Sequence, residues 1–151
     1  MKYTINLIHN IDVDITNQLI NIWEKAVRHT HYFLTEQDIV SIREQVRSSL
    51  KTMTILVGVK KEEQIIKAFL AVKGNKIEML FVDPTAMRTG LGQKLINFAL
   101  NEFGAQYVDV NLENHSAIKF YEHIGFKVCG YSEHDNFNNP FPIIHMIKEL
   151  P

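Results

Sequence analysis

Ile77-Glu78-Met79-Leu80-Phe81-Val82-Asp83-Pro84-Thr85-Ala86-Met87-Arg88-Thr89-Gly90-Leu91-Gly92 is the stretch that decides how the chain folds. Its first half mixes β-branched and large apolar side chains and halts at Asp83-Pro84, which cannot extend a ladder, so a buried strand is predicted. Beyond it, Leu91, Leu95, Phe98 and Ala99 recur at i, i+4, i+7 and i+8, the stripe of an amphipathic helix that starts near Gly90. A strand, a glycine-bearing turn and a helix in that order create an anion site. The first turn of a helix has unpaired N–H groups, and the positive end of its dipole faces the turn. Gly90 and Gly92 keep Cβ atoms out of the way of a phosphate, Arg88 can add a charge-assisted contact, and Thr89 can add a hydroxyl. The expected ligand carries a pyrophosphate.

Two familiar phosphate loops are excluded. The dinucleotide fingerprint needs a third glycine where Leu95 stands, and the nucleoside-triphosphate loop needs Gly-Lys-Ser/Thr where the chain has Gly92-Gln93-Lys94.

Working outward, 151 residues suffice for one compact domain with a substantial core and fall short of two ordinary ones. A single domain over 1–151 is therefore expected. With 46% hydrophobic residues, 22% charged residues and a formal charge of −1, nothing calls for nucleic acid or a membrane surface as partner. The first ten residues alternate polar and apolar side chains, unlike a signal peptide, and the run Ala68 to Val72 is far too short to span a bilayer. Cys129 is the single cysteine, so no intrachain disulfide can form and a cytoplasmic location is expected.

Tyr3, Ile5 and Leu7 alternate with polar residues as in a half-buried strand. Ile15, Leu19, Ile22, Trp23, Ala26 and Val27 then follow a helical period from about Asp14 to His29. Thr35-Glu36-Gln37-Asp38 looks like a capping box opening a second helix with Ile39, Ile42, Val46 and Leu50 on its stripe. Met53 to Val59 and Ile65 to Val72 read as antiparallel strands joined by a solvated turn, Lys60 to Gln64. Past the glycine turn and its helix, Tyr107 to Asn111 reads as a strand. Asn114 caps a helix that Gly125 stops, and Phe126 to Tyr131 and Ile143 to Ile147 complete the strands. The order β-α-α-β-β-β-α-β-α-β-β describes an α/β chain with a mixed sheet and a crevice at its strand ends.

Between the first two helices lies Arg28-His29-Thr30-His31-Tyr32-Phe33-Leu34. His29 and His31 have a spacing that suits a metal, but no third ligand is near, so no metal is expected. Packed joint residues and the rim of a substrate site both remain open readings.

The glycine turn resembles the acetyl-CoA site of the GNAT superfamily of N-acetyltransferases, whose signature is Arg/Gln-x-x-Gly-x-Gly/Ala after a central strand ending in Asp-Pro or similar. Met87 stands where that family has Arg or Gln, and Arg88 follows one residue later. A second stretch is similar to the family's Asn-x-x-Ala-x-x-Phe-Tyr-x-x-x-Gly-Phe, through Asn114, Ala117, Phe120, Tyr121, Gly125 and Phe126. Two motifs in this order, with the order of elements, carry the resemblance over nearly the whole chain. Thr30-His31-Tyr32-Phe33-Leu34 and Pro140-Phe141-Pro142 narrow it to a YjaB-like bacterial subgroup.

The resemblance implies a GNAT-like α/β fold, with a mixed, mostly antiparallel sheet of about seven strands, about four helices and a splay between two parallel central strands. It implies acetyl-CoA as co-substrate, held by Leu80, Phe81, Val82, Met87, Arg88, Thr89, Gly90, Leu91, Gly92, Gln93, Asn114 and Tyr121. The acetyl group would pass to a primary amine of a small molecule or peptide by direct attack in a ternary complex. A backbone N–H near Phe81 or Val82 would receive the developing charge on the thioester carbonyl. Tyr121, a phenol protonated at neutral pH, would serve as general acid for the leaving thiolate. Glu78 would take the amine's proton directly or through water, with His31 and His134 as alternatives. Cys129 beside Val128 reads as a small buried residue and not as an acyl carrier.

His29, His31, Phe33 and His134 are expected on the substrate side, where aromatic and imidazole groups suit a small amine or peptide amine better than a polyamine. A homodimer is compatible with this reading, and the sequence does not decide it. The competing reading is a non-catalytic acetyl-CoA-binding regulatory module, which Met87 favours and Tyr121 opposes.

Overall fold

The computed structural model describes residues 3–150. In chain order the elements are β1 (Tyr3–Ile8), α1 (Val13–Thr30), α2 (Glu36–Leu50), β2 (Thr54–Lys60), β3 (Ile65–Lys73), β4 (Lys76–Val82), α3 (Leu91–Phe103), β5 (Tyr107–Asn111), α4 (His115–Ile124), β6 (Lys127–Ser132) and β7 (Ile143–Ile147). The strands form one sheet in the order β1-β2-β3-β4-β5-β7-β6, antiparallel throughout except for the parallel neighbours β4 and β5. This is the expected mixed α/β sheet with four helices.

Both faces of the sheet are covered, which explains why β2 and β3 read as nearly unbroken apolar runs. On one face Leu91, Leu95, Ile96 and Ala99 of α3 pack on Leu56, Leu70, Ile77 and Val108. On the other, Leu19, Trp23 and Val27 of α1 and Ile39 and Val46 of α2 pack on Ile55, Val57, Phe69 and Met79. Helices α1, α2 and α4 begin where side chains satisfy their first N–H groups. Asp12 Oδ1 accepts from Ile15 N at 2.8 Å. Thr35 and Asp38 form the full reciprocal box at 3.1 and 3.0 Å.

Two details set the geometry of the site. Residue 78 is a bulge, since Val72 faces Ile77 while Ala71 already faces Met79, and a bulge bends the strand and re-aims its side chains. The parallel pairing of β4 with β5 comprises only Lys76 with Tyr107 and Ile77 with Val108. Beyond that point the two strands separate, which gives the expected splay.

Two expectations are corrected. Phe126 lies outside β6 because its N–H is donated to Tyr121 O at 2.9 Å and Gly125 N–H to Glu122 O at 3.0 Å, so the end of α4 consumes it in a Schellman cap. Cys129 is exposed and not buried. It is the extra residue of a bulge between Val128 and Gly130 on the edge strand β6, where no neighbouring strand covers it. Among the described residues, no helix is long and apolar enough to cross a membrane.

Candidate active site

The exit from β4 is held by a buried carboxylate. Asp83 Oδ1 accepts from Thr85 N at 2.9 Å and from Thr85 Oγ1 at 2.7 Å, while Asp83 N–H is donated to Lys67 O at 2.8 Å. Burial alone would raise its pKa. The two Thr85 donors and the nearby Lys25 and Lys67 charges outweigh that and hold the carboxyl below the usual range.

A short 3-10 turn, Pro84–Ala86, follows. Arg88 then takes φ +62° and Gly90 φ +81°, and α3 starts at Leu91 with no side chain capping its first N–H groups. Those donors are left for a ligand. Gly90 is required by its backbone, whereas a Cβ on Gly92 would come within 3.3 Å of Phe120 Cζ. Gly92 therefore serves the packing of α4 against α3 as much as ligand approach. The Thr89 hydroxyl is donated to Ala86 O at 2.6 Å, which braces the turn, and Thr89 is not among the residues lining the adjoining cavity.

A cavity of about 500 Å³ opens between the free end of β4 and the starts of α3 and α4. Its lining includes Leu80, Phe81, Val82, Met87, Arg88, Gly90, Leu91, Gly92, Gln93, Asn114 and Tyr121, and also Ala26, Thr30, Ser116, Ala117 and Phe120. Ala117 and Phe120 belong to the second motif. Ala26 and Thr30 lie on α1, distant in sequence; Thr30 opens the Thr30–Leu34 stretch that the sequence singles out, while Ala26 read only as part of the apolar stripe of α1.

Backbone N–H direction alternates along a strand. Since Asp83 N–H points to β3, the N–H groups of Val82 and Leu80 are directed to the edge facing the splay, and that of Phe81 to β3. Of the Phe81 and Val82 N–H groups, only that of Val82 is turned toward the splay. Tyr121 is buried, with its ring edge-on to Phe120 at 5.2 Å and Phe126 at 5.4 Å. Burial pushes its phenol above the ordinary tyrosine range, so it is protonated at neutral pH.

A second cavity, about 420 Å³, lies on the α1 and α2 face. Trp23, Phe33, Phe81 and Phe141 give it aromatic walls, and Lys73, Lys76, Glu78 and Asp135 give it charge. Phe33 and Phe141 hold one wall with ring centres 5.8 Å apart. The loop bearing Phe141 is tied by Asp135, which accepts from Phe137 N and Asn139 N, and by Asn139 Nδ2, which donates to Gln45 Oε1 at 2.9 Å. Glu78 Oε2 lies 3.4 Å from Asn136 Nδ2, and its other oxygen 3.8 Å from Lys76 Nζ. Lys76 also pairs with Asp109, whose carboxyl is held low because Lys76 and His145 outweigh its burial.

His31 and Phe81 line both cavities, so the two meet there. Glu78 lines only the second cavity. His29 and His134 are exposed and line neither. Among the described residues, no group of three or more His, Cys, Asp or Glu is placed to hold a metal ion.

These features define an α/β protein with a splayed sheet, an uncapped helix start facing one cavity and an aromatic, charged cavity adjoining it. A family model described as an acetyltransferase (GNAT) domain matches residues 17–150. The chain belongs to the GNAT acetyltransferase family and is an acyltransferase, as the two motifs implied.

It is 33% identical over 129 residues to the peptidyl-lysine N-acetyltransferase YjaB of Escherichia coli (strain K12), covering 85% of this chain and 87% of that protein. The solution structure of apo-form YjaB from Escherichia coli matches with a TM-score of 0.86 and 30% identity over 97% of both chains. A PaiA N-acetyltransferase from Thermoplasma acidophilum, crystallised with coenzyme A, shares the fold with a TM-score of 0.70 at 19% identity, over 99% of this chain and 100% of that one.

Proposed function

We propose that residues 1–151 form one N-acetyltransferase domain that moves the acetyl group of acetyl-CoA to a primary amine of a small molecule or peptide by direct attack in a ternary complex. The observation that carries this reading is the junction of the two cavities at His31 and Phe81. One side offers uncapped N–H groups and a protonated phenol, the other an aromatic channel with a carboxylate. Relatives named peptidyl-lysine N-acetyltransferase support a peptide lysine as acceptor.

In this mechanism the first turn of α3 and Arg88 bind the pyrophosphate. Val82 N–H stabilises the charge that develops on the thioester oxygen. As the amine nitrogen bonds to the carbonyl carbon and the C–S bond breaks, Tyr121 gives its proton to the departing sulfur. Glu78, confined to the second cavity, takes the proton from nitrogen through water.

The test is to mix the purified protein with acetyl-CoA and a panel of lysine peptides, small amines and polyamines, with chromatography for free coenzyme A and mass spectrometry for the amine. A thiol reagent is best avoided, because Cys129 is exposed. Acetylated lysine peptide or small amine is the expected product. Acetylation of polyamines alone would overturn the acceptor assignment, and tight acetyl-CoA binding without any transfer would favour the regulatory module.

A further inference from the structure

His31 is the polar side chain at the boundary between the two cavities, because the other residue that lines both, Phe81, has no polar atom in its side chain. Its place is fixed at the end of α1, where its backbone N–H is donated to Val27 O at 2.7 Å and its ring lies 5.4 Å from that of Phe33.

One tautomer satisfies both contacts of the Thr30 hydroxyl. Thr30 has one hydroxyl proton, and Oγ1 lies 2.9 Å from Ala26 O, a back-bond to the preceding turn. The same oxygen lies 2.8 Å from His31 Nδ1. With its proton given to Ala26, Thr30 can only accept from the ring, so Nδ1 carries the hydrogen and Nε2 a lone pair. Nε2 has no hydrogen-bond partner among the described residues.

Burial also favours the neutral ring, pushing the imidazole down to about 4. The charged or titratable side chains lining the two cavities around it are Glu78, Asp135, Lys73, Lys76, Arg88 and Tyr121. None of them makes an ion pair or hydrogen bond with His31 that would restore its charge.

We propose that His31 receives the acceptor amine at the point of transfer, its Nε2 accepting a hydrogen bond from the attacking nitrogen. This rests on the acetyltransfer reading given above and adds to it a catalytic residue. Once the nitrogen is deprotonated, the bond to Nε2 uses one of its N–H groups and leaves its lone pair aimed at the carbonyl carbon. His31 neither gains nor loses a proton over the cycle. The nitrogen's proton passes to Glu78 through water, and the sulfur's comes from Tyr121. Phe33, against the His31 ring, and Phe141 beside it fit the aliphatic stem that carries a primary amine.

Two measurements test this. Long-range proton–nitrogen NMR of the labelled full-length protein at pH 7 needs no acceptor: it should show His31 protonated at Nδ1 and bare at Nε2, with the balance moving toward Nε2–H in Thr30→Val. A charged ring, or Nε2–H in the wild type, would overturn the proposal. In steady-state assays with a lysine peptide, His31→Leu should lower kcat about 100-fold with the KM for acetyl-CoA within about threefold. His31→Gln, which restores an acceptor oxygen, should recover to within about tenfold of wild type. His31→Leu with wild-type kcat, or His31→Gln no better than His31→Leu, overturns the role of His31 alone. A wild type that acetylates no amine overturns the functional reading together with it.

Discussion

Ile77 faces Val108 across the parallel seam, and it is the last residue of β4 to have a partner in β5. The bulge at residue 78 follows immediately. Bend and separation together turn the N–H groups of Leu80 and Val82 to an edge that no strand covers, and bring the end of β4 beside the start of α3. The cleft is thus a consequence of where one ladder stops. Its chemistry is supplied by what stands around that gap.

Gly90 separates backbone strain from ligand repulsion. At φ +81°, with nothing within 4 Å of an added Cβ, Gly90→Ala should cost about 1 kcal/mol of stability, read from denaturant melts, from the left-handed backbone alone. Gly90→Glu adds a carboxylate at the positive end of α3, where it competes with phosphate. Calorimetry should show acetyl-CoA affinity at least about tenfold lower in Gly90→Glu than in Gly90→Ala. Equal affinities would move the phosphate away from this turn.

Gly58 tests how the start of α3 is seated. A Cβ there would lie 2.6 Å from Leu91 Cδ1, and Leu91 is the first residue of the helix, 2% exposed. Gly58→Ala should destabilise the fold by about 1 to 3 kcal/mol and weaken acetyl-CoA binding as α3 shifts. A variant that loses stability but binds normally would show that the helix start relaxes independently of the cleft.

The elements of this architecture that were legible have local signals. The Asp83-Pro84 stop, the Leu91 stripe, the Thr35 box and the Gly125 cap each depend on a few neighbouring residues, and each appears where the pattern put it. What escaped depended on distance. Thr89 looked free until Ala86 O proved to hold its hydroxyl. Cys129 looked buried until its strand proved to be an edge with a bulge. Thr30 and Ala26 reach the cleft only because α1 crosses the sheet there. The Met87 departure from the family signature was visible, as were the uncapped N–H groups behind it, because Gly90 has no side chain to cap them.

His31 gives stability a specific pH dependence. Its folded pKa, near 4, lies below the ordinary 6.5, so the unfolded chain binds this proton first. The contribution is fully present above about pH 6.5 and is lost as pH falls toward about 4, amounting to roughly 3 kcal/mol. Urea titrations of wild type and His31→Gln between pH 7 and pH 4 should therefore diverge, with the variant losing less. Parallel curves would mean that the imidazole is solvated and free to charge.

Tyr121 bears the central claim, that a protonated phenol in the splay serves the departing thiol. The decisive measurement is single-turnover acetyl transfer to a lysine peptide by wild type and Tyr121→Phe at saturating acetyl-CoA, with coenzyme affinity measured alongside. Loss of one hydroxyl from a buried ring should lower the rate by about 100-fold or more while leaving acetyl-CoA affinity within about threefold. Wild-type turnover by Tyr121→Phe would contradict the mechanism and leave Tyr121 as a core ring between Phe120 and Phe126.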